Sequence, residues 1–253
     1  MAGDVGQLVG PFQYACYRGV RVVWVNRAMV RHAFGWNYAA WSKAFLDAVG
    51  SLPSEPRNIL EIGAGDLSIV SLMFDKEGTK ITVGYHADMY REPISKKIES
   101  LRIAENLKAQ YVVSKIDAFT VIGDYDLVIM KSVLGGLFRN HSSNLQEINH
   151  FINQLRKRTL ASDGVLISID NGESIFEKYM SRLGARRNNW RYFKTGQLQS
   201  AKVQSHFGVL SAFSAETRWG RLGCFIDNQI MYPIDRVLTS MIKSNPTVIA
   251  SVF

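Results

Sequence analysis

The sequence predicts an α/β fold with a doubly wound, mostly parallel sheet, and three observations carry that prediction. Short apolar runs alternate with segments whose apolar residues recur at helical spacing, in steps of about 25 to 30 residues, the rhythm of right-handed β-α-β crossovers. The first run ends in an acid followed by a glycine turn, Glu61-Ile62-Gly63-Ala64-Gly65. The chain has 253 residues, 47% of them apolar and 21% charged. At that length it can bury roughly 70% of its unfolded surface around one large core or two smaller ones.

Taken in order, residues 58–62 read as a strand, and residues 67–74 as a helix that stops before Gly78, where a glycine can take the left-handed conformation. Residues 81–85 form a second strand. Pro93 suits a first helical turn, where its missing N–H costs nothing, and Ile94, Ile98, Leu101 and Ala104 then make a helical stripe. Strands three and four fall at 111–116 and 126–130. Ser143 with Gln146 three residues on reads as a capping box, opening a helix that buries Ile148, Phe151, Ile152 and Leu155. A turn at 161–164 leads into a fifth strand at 165–169. A parallel sheet of this kind is covered on both faces, which fits continuous apolar runs.

The ends differ from this centre. Residues 36–50 predict a helix with Tyr38, Trp41, Phe45, Ala48 and Val49 on one side, and Pro53 and Pro56 then form a linker to strand one. Residues 1–56 are expected to be an N-terminal helical lid, with the main domain over 57–253. The arginines of 12–34 (Arg18, Arg21, Arg27, Arg31) would fall on two sides of a helix turning about 100° per residue, so a lid or packing role is preferred to a membrane-surface helix. Near the other end, 209–215 and 222–226 read as two strands, and 248–253 as another.

Composition narrows the function classes. No apolar stretch is long enough to cross a bilayer, and the first ten residues lack the pattern of a secretion signal, so a cytoplasmic protein is expected. Cys16 and Cys224 are far apart with no metal-ligand spacing, so neither a disulfide framework nor a metal is expected. The net charge of +8 is concentrated: residues 178–215 contain no acid, while Lys178, Arg182, Arg186, Arg187, Arg191, Lys194 and Lys202 supply +7. Such a segment suits an anionic partner.

The glycine turn and the strands after it resemble the class I S-adenosylmethionine-dependent methyltransferases over roughly residues 57–172. Glu61-x-Gly63-x-Gly65 is similar to that family's first motif. Asp117-Ala118, after strand three, resembles its adenine-reading acid, and Tyr125 to Met130 its fourth strand. Leu160 to Leu166 resembles the turn into its fifth strand, with Ser162 and Asp163 in place of Pro and Gly. The resemblance implies a Rossmann-like fold with a seven-stranded sheet. It also implies S-adenosylmethionine as cofactor, held by Glu61, Gly63, Ala64, Gly65, Asp66, Asp117, Ala118 and Lys131. The second strand departs from the pattern: the ribose-binding acid is either His86 at the expected place or Asp88 two residues late. A carboxylate accepts from two hydroxyls at once, which favours Asp88; a plain helix cap is the other reading of that residue.

After strand four the chain reads Lys131-Ser132-Val133-Leu134-Gly135-Gly136, without the Asn-Pro-Pro-Tyr of amine methylation on nucleic-acid bases. Asp170-Asn171 fits one half of the ligand set of metal-dependent O-methyltransferases, but Lys131 stands where the other acid belongs. Methyl transfer from a sulfonium needs orientation and dryness above all, with a base if the acceptor is a hydroxyl. His141, after strand four, is the first candidate base and His206 the second; a solvated loop residue is the alternative for His141. Arg186, Arg187, Trp190, Arg191 and Lys194 lie in a basic insertion at 178–206 and suit an acceptor bearing phosphate or carboxylate, such as a nucleotide-linked or lipid-linked sugar. The expectation is therefore O-methylation of an anionic small molecule or sugar, in a polysaccharide or secondary-metabolite pathway. Two alternatives stand beside it: RNA methylation, with Trp190 and Tyr192 as stacking platforms, and a non-catalytic scaffold.

Overall fold

The computed structural model describes residues 12–15, 23–35, 37–65, 67–138, 145–172, 196–210, 216–241 and 248–253. Near the N-terminus, β1 (Phe12–Ala15) pairs antiparallel with β2 (Val23–Asn26). A 3-10 turn at Arg27–Met29, capped by the Asn26 side chain accepting from the Ala28 N–H at 3.1 Å, then leads into α1 (Val30–Phe34) and α2 (Tyr38–Val49). The expected helical segment is thus a hairpin first and helices second.

The main sheet comes next: β3 (Asn58–Ile62), β4 (Lys80–Tyr85), β5 (Gln110–Lys115), β6 (Tyr125–Lys131), β7 (Leu160–Asn171), β8 (Val203–Phe207) and β9 (Val248–Val252). Its order is β5-β4-β3-β6-β7-β9-β8. The pairs from β5 to β7 are parallel, and β9 runs antiparallel to both β7 and β8. The doubly wound, mostly parallel seven-stranded sheet expected from the sequence is therefore present.

Alternation along each strand divides its residues between two cores, because successive side chains point to opposite faces. Ile59, Leu127, Ile129, Ile167 and Ile169 join α1, α2 and α3 (Arg91–Glu105) on one face. Leu60, Val128, Met130 and Leu166 join α4 (Val133–Leu137) and α5 (Leu145–Thr159) on the other. On the first face Phe45 of α2 is packed edge-on between Phe34 and Phe74, with ring centres 5.5 and 6.0 Å away. Those three rings join α1 and α2 to the 3-10 segment that follows β3. The predicted buried face of α5, Ile148, Phe151, Ile152 and Leu155, is buried as expected, and α3 buries Ile94, Ile98 and Leu101 but leaves Ala104 exposed.

Three elements differ from the sequence reading. The first crossover is a 3-10 segment, Val70–Phe74, in place of a full α-helix. The reason is local: the Glu61 carboxylate takes the N–H groups of Val70 and Ser71, and all five residues of the segment are buried. Of the strand expected at 209–215 only residues 209 and 210 are described, and neither is strand; the edge strand seen is β8, which stops at Phe207 before Gly208 with φ 85°. β8 sits at the sheet edge with a polar, half-exposed face, so its sequence carries no strong apolar signal. The strand expected at 222–226 is helix: α6 (Glu216–Phe225), a π-helical segment at Ile226–Met231 and α7 (Tyr232–Met241) run through it. A five-residue apolar run does not distinguish the two periods.

Candidate active site

The parallel strands end level with one another, and Glu61, the glycine turn, Asp88, Asp117 and Lys131 lie at or just past that carboxyl edge, where ligands bind in open α/β sheets. At the end of β3, Glu61 is 1% exposed. Its carboxylate accepts from Val70 N at 2.8 Å, Ser71 N at 2.9 Å and Ser71 Oγ at 2.6 Å. Burial pushes its pKa up, and those three hydrogen bonds oppose the rise. Glu61 is therefore the post that holds the segment after the glycine turn.

The turn itself is shaped by close approach. Gly63 has φ 77°, and a Cβ there would lie 2.7 Å from Val133 Cγ2, so only glycine fits. The Ala64 N–H donates to Gly84 O at 2.9 Å, tying the turn to β4. Gly65 bridges back to Ser68, and a Cβ built on it meets nothing within 4 Å, so the turn presents an open face there.

On the next strand His86 is exposed and lies against Tyr90, ring centres 5.4 Å apart. Asp88 opens a short 3-10 turn and pairs with Lys115 of β5 at 3.0 Å, its side chain 76% exposed. Asp117, just past β5, is exposed and accepts from Phe119 N at 2.8 Å. Ala118 is buried, and its carbonyl accepts from Arg158 at 3.2 Å. Glu61, the glycine turn, Asp88 and Asp117 thus line consecutive ends of β3, β4 and β5.

On the other side of β3, Lys131 ends β6. Its ammonium lies 4.5 Å from the centre of the Trp41 ring of α2 and donates to Ser68 Oγ at 3.5 Å. Ser132 then takes a left-handed conformation, φ 59°, a strained backbone for a residue with a Cβ. Across from it, Asp170 of β7 is fully enclosed: Ser168 Oγ donates to it at 2.5 Å and Gly135 N at 3.4 Å. Burial raises its pKa to about 6, and nearby Lys131 pulls the other way. Trp41 and Ser68 were not foreseen as site residues, and Asp170 was weighed only as half of a metal-ligand set that Lys131 leaves incomplete. The only sequence signals for them were the position of Asp170 at the end of the fifth parallel strand and the predicted inward side of the Trp41 helix.

His206 lies in β8, half-buried, and its Nδ1 is buried without a hydrogen-bond partner among the described residues. His141, Asp66, Ser143 and the residues of the basic insertion, Arg186, Arg187, Trp190, Arg191 and Lys194, lie outside the described residues. Among the described residues no group of three His, Cys, Asp or Glu side chains is placed to hold a metal ion.

Five parallel strands with β3 central, and a reversed β9 set between β7 and β8, decide the architecture. It is the Rossmann-like methyltransferase fold. No protein-family model matches the chain, and no curated protein does. Among solved structures, the chain is similar to magnesium protoporphyrin IX methyltransferase from Synechocystis PCC 6803 with bound SAH, at 18% identity and a TM-score of 0.44. That match covers 61% of this chain and 65% of the other. It is also similar to TehB from Haemophilus influenzae, at 18% identity and a TM-score of 0.35, covering 51% of this chain and 41% of that one. Against a putative sarcosine dimethylglycine methyltransferase from Galdieria sulphuraria the figures are 14% identity, a TM-score of 0.47, and 84% and 82% coverage. The chain spans less than two thirds of the length of the first two.

Proposed function

We propose that this protein transfers a methyl group from S-adenosylmethionine to a small-molecule or sugar acceptor carrying negative charge. The observation that supports this reading best is the line of groups along the carboxyl edge: a glycine turn with an open face at Gly65, then exposed carboxylates at Asp88 and Asp117 on the next two strand ends. That spacing fits an elongated ligand with an amino-acid end at β3 and a nucleoside end over β4 and β5. Asp88 would accept from ribose hydroxyls, His86 flanking it, and Asp117 with the Ala118 backbone would meet the base. Lys131 would face the amino-acid carboxylate, with Asp66 as a further cofactor contact, while Glu61 and Ala64 hold the turn. S-adenosylmethionine would supply a methyl on a sulfonium, already activated.

The protein's own share is orientation and exclusion of water. Trp41 covers Lys131 from the α2 side and narrows access to the edge. For a hydroxyl acceptor, His141 or His206 would take the proton; His206 stands in β8, which runs parallel to β7 and ends at the same edge. The basic insertion, through Arg186, Arg187, Trp190, Arg191 and Lys194, would bind the acceptor's phosphate or carboxylate.

Calorimetric titration with S-adenosylmethionine and its demethylated product tests the cofactor half: micromolar binding of both is expected, and no binding would leave only a scaffold. A screen of acceptors with labelled methyl donor tests the other half. Charge reversal at Arg187 and Arg191 is expected to raise the acceptor KM and leave cofactor binding alone; an unchanged KM would exclude these residues from acceptor binding.

A further inference from the structure

The helical unit from α6 to α7 is inverted relative to an ordinary surface helix, which turns its apolar stripe inward. Here the fully buried positions of the π-helical segment and α7 are polar. Asp227, Asn228 and Asp235 are buried, with Asn228 accepting from Ala39 N at 2.9 Å and Asp235 from Val209 N at 2.8 Å and Leu210 N at 2.7 Å. The outward face carries Leu222, Phe225, Ile230, Ile234, Val237 and Met241, each between 43% and 75% exposed. Steps of three and four residues keep these on one side of an α-helix. The single five-residue step, Phe225 to Ile230, falls within the π-helical segment, whose turn takes in an extra residue and so keeps the stripe continuous.

Charge indicates what meets this stripe. Within residues 220–241 both acids are turned inward, so the exposed charges there are Arg221 and Arg236. Two copies pairing through this face would bring arginines together with no acid on the stripe to match them. A surface that is apolar inside and negative outside matches both features at once. We propose that the outer face of residues 220–241 docks this protein onto anionic lipid bilayers. The contact is peripheral: no helix among the described residues is long and apolar enough to cross a membrane. The same unit meets α2 at the Ala39 N–H, two residues before Trp41 of the candidate site, and packs Tyr232 against Phe207 of β8 with ring centres 5.5 Å apart. Docking would therefore hold the carboxyl edge beside the lipid surface.

Co-sedimentation of the full chain with vesicles tests this, using phosphatidylcholine alone and phosphatidylcholine mixed equally with phosphatidylglycerol. Sedimentation with the mixed vesicles only, weakening as salt rises, is expected. Replacing Arg221 and Arg236 with Ala should weaken it roughly thirtyfold, and Phe225→Ser with Val237→Ser should abolish it. Thermal unfolding of both variants should match the parent, since all four side chains are exposed. Failure of the parent chain to sediment, equal binding to neutral vesicles, or binding indifferent to either pair of substitutions would overturn the proposal. So would concentration-dependent dimerisation, or capture of an acidic protein, lost in the Phe225/Val237 variant without any lipid binding.

Discussion

The side-chain carbonyl of Asn228 caps α2 from 189 residues away, accepting the Ala39 N–H at 2.9 Å. Asn37, the residue in the capping position, makes no such bond itself. The Asn228 amide meanwhile donates to Cys224 O at 2.8 Å, so one side chain ties two distant helices together. Asn228→Ala should cost about 1 to 2 kcal/mol, the usual value of a lost cap plus an unsatisfied donor, seen as a lower urea midpoint at unchanged slope.

Glu61 is expected to matter for stability independently of any cofactor. Glu61→Ala strands two buried N–H groups and a hydroxyl, a loss of about 3 kcal/mol. Glu61→Gln keeps one acceptor and should lose roughly half as much. Chemical denaturation of both variants without added ligand separates this role from cofactor binding.

Gly63→Ala meets two obstacles, a left-handed φ of 77° and the Val133 side chain 2.7 Å from the new Cβ. Together they should destabilise the fold by about 3 kcal/mol. Adding Val133→Ala removes the clash and leaves the backbone strain, so the double variant should recover only part of the loss. A double-mutant cycle by thermal unfolding measures the coupling.

Asp170 predicts a pH dependence. Its folded pKa, about 6, lies above the ordinary 3.8, so the folded state holds the proton more tightly. The resulting stability is fully present below about pH 4 and is lost as pH rises through about 6. Asp170→Asn removes the charge that must otherwise be buried. At pH 8 it should be more stable than the parent by about 2 kcal/mol, and near pH 4 the two should converge. Denaturation midpoints across that range give the comparison.

Lys131 and Trp41 should contribute unequally to cofactor affinity if the proposed site is correct. Lys131→Met removes the charge proposed to meet the cofactor's carboxylate and should weaken binding roughly tenfold. Trp41→Leu removes only the ring beneath the ammonium and should weaken it roughly threefold. Calorimetry on both variants reads the difference.

The parallel part of the sheet was legible because β3, β4, β6 and β7 are buried on both faces and so read as continuous runs of Ile, Val and Leu. The edge strand β8, with Gln204, Ser205 and His206 half-exposed, lacked that signature. Residues 222–226 read as a strand because an apolar run of five is too short to show its period, and the exposure of Leu222 and Phe225 on the helix leaves no inward stripe to reveal it. Within the site, the glycine turn declared itself because its backbone demands are local. The meeting of Trp41, Ser68 and Lys131 did not, since it depends on the tertiary packing of α2, which the Phe34, Phe45 and Phe74 rings tie to the 3-10 segment after β3.

The reversed strand β9 also fixes an order of events during synthesis. Among the described residues β8 joins the sheet only through β9, which is made some forty residues later by the count of positions between Phe207 and Val248. As the chain leaves the ribosome, the five parallel strands and the glycine turn can assemble while β8 still lacks a neighbour. The cofactor half would then exist before the β8 side is seated, and a nascent chain stalled before Val248 is expected to hold the first without the second.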